Sequence, residues 1–244
     1  MIEGTKLVGR AAEVADLEAE WRRAAAGELR CVLLTGDAGV GKTSLANDVV
    51  ARHAPGATIL SARARLMAAA SELFYKEGVN TVGIERVIEH AGVAKATLYS
   101  AFGSKDGLVR AYLRAQHAAT SERMARELDA RYKTPKERLI GIYEVQGLSF
   151  TDPGFRGCAF LSANAQAPPG SIDEETNDYR AWVHQLFFDL AQQAGAKDPK
   201  TLAKQLVVLY DGAGISAWMD HDPSAETAAR TVAAALVDAA IPSR

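Results

Sequence analysis

The hydrophobic pattern of this 244-residue chain changes character near residue 61. Before that point, short unbroken apolar runs sit beside glycines. CVLLT (31–35) reads as a short strand running into a glycine-rich loop, and ATILS (57–61) has the composition of a second strand. Between them a helix starting near Lys42 carries Leu45, Val49 and Val50, and Ala54-Pro55-Gly56 ends it. Ala11 to Ala26 has helical composition up to Gly27. The order predicts a short, truncated β-α-β fragment within residues 1–61.

From Arg63 onward the apolar spacing is helical throughout. Leu66, Ala69, Ala70, Leu73 and Phe74 form an i, i+3, i+4, i+7, i+8 stripe, and Gly78 stops that helix. Thr81 is placed to cap a second, short helix through Ile84, Val87 and Ile88. Gly92 breaks it, and a third helix runs from Ala94 to Phe102. Ser104 caps a longer helix through Leu108, Tyr112 and Leu113. Further on, Thr134-Pro135-Lys136-Glu137 combines a cap, a proline at the first helical position and the glutamate of a capping box. Ser171-Ile172-Asp173-Glu174 repeats the box, with Gly195 as the stop. Asp198-Pro199 and Asp222-Pro223 open two last helices, near 199–219 and 223–240, rich in Ala, Leu and Val. No period-2 pattern occurs after residue 62, so this part of the chain is expected to be all-α. The boundaries divide the chain into 1–61, 62–112 and 113–244.

Composition narrows the partners. No apolar stretch approaches the roughly 18 residues of a membrane span, and no secretory signal is visible, so a cytoplasmic protein with no membrane partner is expected. Cys31 and Cys158 match no metal or redox spacing, and neither His184 nor His221 has companions at ligand spacing, so no metal is expected. The net charge is −2, yet residues 61–120 carry 8 basic and 5 acidic side chains. A phosphate-bearing partner would therefore engage this middle segment.

That segment is also where two short helices meet across the tight turn Ala91-Gly92-Val93. Ile84, Val87, Ile88, Val93 and Leu98 are spaced to pack together, as a helix-turn-helix requires. Lys95, Ala96, Thr97, Tyr99 and Ser100 are left on the outward side, small or hydrogen-bonding types that fit a major groove. Lys105 follows at the start of the next helix, where its ammonium and the helix amides can share a phosphate.

The stretch TVGIERVIEHAGVAKATLYSAFGSKDGLV, within residues 63–112, resembles the DNA-binding domain of TetR/AcrR-family bacterial transcriptional regulators. The match rests on T-V-x-x-I, A-G-V, T-L-Y, F and S-K-[DE]-x-L. The resemblance implies that Thr81, Tyr99 and Lys105 contact phosphates while Lys95, Ala96 and Thr97 face base edges. Ala94 departs from the family, which usually has a capping Ser or Thr there, at a cost of about 1 kcal/mol.

Family members carry a larger helical domain that binds a small effector and dimerises through its last helices. GFRGCAFLSA (154–163) and the run from Tyr210 to Pro223 look similar to it. Ten of the seventeen aromatics lie between residues 140 and 220. Phe155, Phe160, Trp182, Phe187, Tyr210 and Trp218 are the candidate ligand-binding residues among them, with burial in the core as the alternative for each. The resemblance implies a homodimer through the last two helices, a palindromic double-stranded DNA operator, and release by a small-molecule effector. The chain is expected to be a repressor and not an enzyme.

One motif stands outside this account. GDAGVGKT (36–43) fits the P-loop pattern at Gly36, Gly41, Lys42 and Thr43, with Gly39 in the loop. With LVGR and the Trp21 helix it resembles the start of the ATPase domain in large ATP-binding regulators of the LuxR type. Hydrolysis further needs an acidic residue ending another buried strand, and the chain turns helical before supplying one. The segment reads as a P-loop remnant or fusion product, with no cofactor. The alternative is a nucleotide switch or ATPase that uses Gly36–Thr43 to control the DNA-binding segment.

Overall fold

The computed structural model describes residues 10–28, 30, 32, 34–37, 39–53 and 62–241. The chain divides into two compact units, Met1–Ile59 and Leu60–Arg244.

In the first unit, α1 spans Ala11–Ala25 and α2 spans Lys42–His53. The α1 helix buries no residue of its own, and α2 buries Leu45 and Val49. Arg52 and His53 of α2 both reach Glu18 of α1, at 3.6 and 3.2 Å. The expected strand at 31–35 is not formed: Val32, Leu34 and Thr35 are irregular, and no strand occurs among the described residues. A strand needs a neighbour for its backbone N–H and C=O groups, and none occurs among the described residues. ATILS (57–61) lies outside the described residues. The two expected helices form, but the expected β-α-β fragment is not seen, and the P-loop-like reading of the segment is not supported.

In the second unit, α3 (Ala62–Glu77), α4 (Ile84–Ala91) and α5 (Lys95–Phe102) pack with the start of α6 (Lys105–Arg131). The predicted stripe of α3 is buried at all five positions, and Val87, Leu98, Leu108 and Tyr112 close over it. Phe74 and Tyr112 meet edge to face, 5.6 Å between centroids. The remaining elements are α7 (Pro135–Gly147), α8 (Ala159–Gln166), α9 (Asp173–Gln193), α10 (Pro199–Met219) and α11 (Ala225–Ala240). Helices α7, α9, α10 and α11 pack against one another, and the second half of α6 joins α7 and α9. The buried Tyr143 hydroxyl donates to the Leu206 carbonyl at 2.7 Å and ties α7 to α10.

Local signals set several helix ends as expected. Ser104 Oγ accepts from Gly107 N–H at 3.0 Å, and the Thr134/Glu137 capping box is complete. Asp198 caps α10 through Thr201 N–H, with Pro199 as the first helical residue. Gly92 adopts the left-handed conformation (φ 61°) that ends α4.

Three caps differ from expectation. Thr81 lies in a turn, and the residue before α4 is Gly83, because Val82 turns inward and is fully buried. Ser171 bonds Pro168 O with both its amide and its hydroxyl, closing a turn, so Ile172 precedes α9 without a side-chain cap. Asp222 accepts from Ser224 N–H and Oγ, which delays α11 to Ala225.

Candidate nucleic-acid interface and ligand cavity

The α4–turn–α5 hairpin is held from beneath by buried Val87, Ala91 and Leu98. Its outer face carries the predicted residues. Lys95, Ala96, Tyr99 and Ser100 are exposed and Thr97 is half-buried, all on α5; Thr81 is exposed in the turn before α4. As expected, Ala94 precedes α5 with no side-chain cap. Lys95 Nζ is paired across the hairpin with Glu85 of α4 at 2.6 Å. The hydrogen bond holds the Glu85 carboxyl below and the Lys95 ammonium above their ordinary pKa ranges. Both side chains are solvated, so the pair costs little to exchange for a phosphate or a base. Half-buried Lys105 sits at the N-terminus of α6, its Nζ 3.5 Å from Asn80 O. Arg63, over the Phe102 ring at 4.4 Å, fixes the far end of α5.

The second feature is a cavity of about 720 Å³ among α6, α7, α8, α9, α10 and the loop before α8. Of the aromatic residues proposed from sequence, Phe155, Phe160, Tyr210 and Trp218 line it. The other two do not. Phe187 is fully buried against Tyr143 and Tyr210, and Trp182 packs on His117 and Tyr179. Both lie on α9, but its turn toward the cavity is that of Thr176, Tyr179 and Arg180. Phe160 stacks flat on Tyr179 with centroids 4.1 Å apart. Burial pushes the Tyr210 phenol up to about 12 and raises Tyr179 well above its ordinary value, so both are neutral hydroxyls at physiological pH. Cys158, exposed at its surface, faces the cavity, and the protein packed around its sulfur raises the thiol pKa despite amides of Phe160 and Leu161 aimed at the sulfur. It is a thiol here, not a thiolate.

Several polar residues of the cavity were not foreseen. Gln116, Thr120 and Arg123 project from α6 at i, i+4 and i+7. Along a sequence such a stripe looks like a solvated face. The available signal was a gap in the apolar stripe of α6, between Leu113 and Met124. Arg180 and Asp211 form a two-pronged ion pair at 2.7 and 2.8 Å.

Two contacts join the cavity wall to the α3–α5 segment. The Tyr75 hydroxyl at the end of α3, itself lining the cavity, donates to Gly157 O at 3.1 Å and accepts from Arg156 N–H at 3.0 Å. Gln166, the last residue of α8, accepts from Asn80 N–H through Oε1 at 3.2 Å, while the Asn80 side chain donates to its backbone carbonyl.

The residues proposed for nucleotide binding lie in the first unit. Gly36, Gly39 and Gly41 have positive φ (143°, 82° and 79°) and Thr43 is exposed. Lys42 Nζ is turned onto its own loop, donating to Gly36 O at 2.8 Å and Asp37 O at 2.7 Å. With no strand among the described residues to carry an acidic metal ligand, nothing supports the ATPase alternative. Among the described residues no cluster of three His, Cys, Asp or Glu side chains could hold a metal, and no helix is long and apolar enough to cross a membrane.

Comparison with known proteins bears on the helical hairpin and on the fold around it. Residues 66–112 match the family of bacterial regulatory proteins of the tetR type. A TetR-type transcriptional regulator from Streptomyces avermitilis is 30% identical, with 74% of this chain covering 98% of that one at a TM-score of 0.64. The chain belongs to the TetR family. A second TetR-family regulator, from Streptomyces coelicolor, is 29% identical over 74% of this chain and 96% of its own, with a TM-score of 0.69. The reduced form of Escherichia coli NemR shares the fold at 20% identity, over 75% of this chain and 98% of its own, with a TM-score of 0.63. No curated protein matches the chain. A TetR-family fold makes it a DNA-binding transcriptional regulator.

Proposed function

We propose that this TetR-family member is a homodimeric repressor that leaves a palindromic operator when a small molecule enters the α6–α10 cavity. Residues 62–112 read DNA and residues 113–244 bind effector and dimerise. The observation that carries the reading is the exposed face of α5 over a buried Leu98, flanked by Thr81 and Lys105. Lys95, Ala96 and Thr97 face base edges; Thr81, Tyr99, Ser100 and Lys105 hold the DNA backbone.

Dimerisation is supported by an unpartnered apolar face on the last two helices. Val208, Gly212 and Met219 line up on α10 at i, i+4 and i+11, and Ala228, Val232, Ala235 and Ala239 line up on α11 at i, i+4, i+7 and i+11. Val208 and Met219 are each 67% exposed, a placement that favours burial against a second copy. Two recognition helices then meet half-sites about 34–36 Å apart.

The cavity and the reading head share mechanical links. The α6 helix runs unbroken for 27 residues, roughly 40 Å, from Lys105 to the cavity and beyond. The Tyr75 hydroxyl and the Gln166–Asn80 contact add two more. A ligand that displaces the 154–158 loop or α8 moves the heads and breaks simultaneous engagement; a modest preference for one spacing is enough to change occupancy.

The test is selection from random double-stranded DNA by the full-length protein, wild type and Thr97→Ala. Enrichment of a palindrome by the wild type, with a changed base preference in the variant, is the expected result. Failure to enrich any sequence, or identical profiles, refutes the assignment of α5.

A further inference from the structure

Resting on the reading of the cavity as the effector site, we infer that its ligand is an amphipathic organic anion, an apolar ring body bearing a carboxylate or similar acid group that pairs with Arg123. The charge balance of the cavity wall leads there. Of the two arginines lining it, Arg180 is neutralised by the two-pronged pair with Asp211. Arg123 is half-buried and has neither an ion pair nor a hydrogen bond among the described residues. Asp211, already engaged, is the one carboxylate of the wall. An unpaired guanidinium in a largely apolar enclosure carries a desolvation cost that an anionic ligand relieves.

The remaining polar groups fit the same ligand. Thr120 and Gln116 continue up α6 from Arg123 on one face, so an acid group at Arg123 has two further side chains aligned with it. Across the cavity, Gln146 Oε1 and Thr176 Oγ1 are buried without a hydrogen-bond partner among the described residues. The Gln146 amide nitrogen is already committed to Tyr210 O at 3.0 Å, which leaves its oxygen to accept from a ligand N–H or O–H. Phe150, Phe155, Phe160 and Trp218 supply the surface for an apolar, ring-bearing body. A cationic amphiphile would face Arg123 with no free carboxylate to answer it, so the site selects by charge sign as well as by shape.

The experiment compares two fluorescent probes with the same anilinonaphthalene body: 1-anilinonaphthalene-8-sulfonate, an anion, and the neutral N-phenyl-1-naphthylamine. Each is titrated into full-length wild type, Arg123→Gln, and Ala119→Trp. Ala119 faces the cavity and is exposed there, so the tryptophan fills space without crowding the core. The expected result is that Ala119→Trp abolishes cavity binding of both probes. Arg123→Gln should weaken the anion by about tenfold or more, the scale of one charge-assisted hydrogen bond, and leave the neutral probe unchanged. If both probes bind the wild type and lose affinity in Ala119→Trp, but Arg123→Gln affects them equally or not at all, the anion assignment is overturned and the cavity reading stands. If neither probe binds, or Ala119→Trp changes nothing, the cavity reading itself fails and this inference with it.

Discussion

The turn between α3 and α4 tests how the α3–α5 segment is tied to α8. Gly78 has φ 92°, and a Cβ placed there would lie 2.4 Å from Gln166 Oε1 and 2.6 Å from Nε2. In Gly78→Ala two costs add. The left-handed conformation costs a non-glycine residue roughly 1 kcal/mol or somewhat more. The methyl also evicts the Gln166 amide. Because that group is the end of a flexible side chain, it moves, but it gives up its bonds with Asn80 N–H and Ser162 Oγ at 3.2 Å each. Partly exposed bonds of this kind contribute on the order of 1 kcal/mol together. Gly78→Ala is therefore expected to cost about 2 kcal/mol in total, the sum of the strain and the broken bonds. Gln166→Ala alone should cost about 1 kcal/mol for the same two bonds. In the double variant the bonds are broken once and the clash is gone, so the total stays near 2 kcal/mol and the coupling is about 1 kcal/mol. Urea unfolding of the four proteins, followed by circular dichroism, measures this cycle. Costs that add to within about 0.5 kcal/mol would refute the reasoning, because Gly78 and Gln166 would then share no interaction energy.

Other consequences follow from the same geometry. Lys105→Ala should weaken binding to all DNA sequences alike and flatten the slope of log affinity against log salt by about 0.9 for each phosphate that is no longer neutralised; an unchanged slope in a fluorescence-anisotropy titration excludes the phosphate role. Leu98→Ala removes a fully buried side chain beneath the outer face of α5 and should cost about 2–5 kcal/mol in urea unfolding; a cost below about 1 kcal/mol contradicts its place in the core. Val232→Asp should turn a dimer into a monomer in sedimentation at micromolar concentration while leaving the helical spectrum intact; a persistent dimer would move the interface elsewhere. Burial raises the phenol pKa of Tyr179 and Tyr210, the latter to about 12. Raised values favour the neutral form in the folded state, so this stability is complete below the unfolded value near 10 and disappears as pH rises toward 12. Absorbance at 295 nm should show these phenols ionising together with loss of the circular dichroism signal, and ionisation at pH 10 in the folded protein would contradict their burial.

Much of the second unit was legible because its signals are local. The stripe from Leu66 to Phe74 requires only helical periodicity, and all five positions are buried. The Thr134 capping box and the Asp198-Pro199 start satisfy their own helix amides, so neighbouring elements do not alter them. Thr81, Ser171 and Asp222 have the same capping chemistry, yet each sits in a turn. Val82 is drawn into the core, Ser171 closes on Pro168, and Asp222 closes on Ser224. A cap is decided by competition among nearby partners, and residue type does not rank them.

The first unit shows the opposite limit. CVLLT has strand composition, and GDAGVGKT has every fixed residue of a P-loop, but Val32, Leu34 and Thr35 form no strand. Strand propensity describes fitness for a pleated sheet, and with no neighbouring strand among the described residues it has nothing to act on.

By itself, then, the sequence determined the all-helical class of residues 62–241, the buried stripe of α3 and the outward face of α5, because periodicity and short-range hydrogen bonds set each of these. Tertiary structure alone decided that Phe155, Phe160, Tyr210 and Trp218 share a cavity while Trp182 and Phe187 do not. It also decided that Arg123 is left without a counter-ion among the described residues, and that Tyr75 and Gln166 join that wall to the α3–α5 segment. These facts depend on which side chains meet across helices far apart in the chain. Helical spacing specifies which face a residue occupies, and only packing specifies what that face meets.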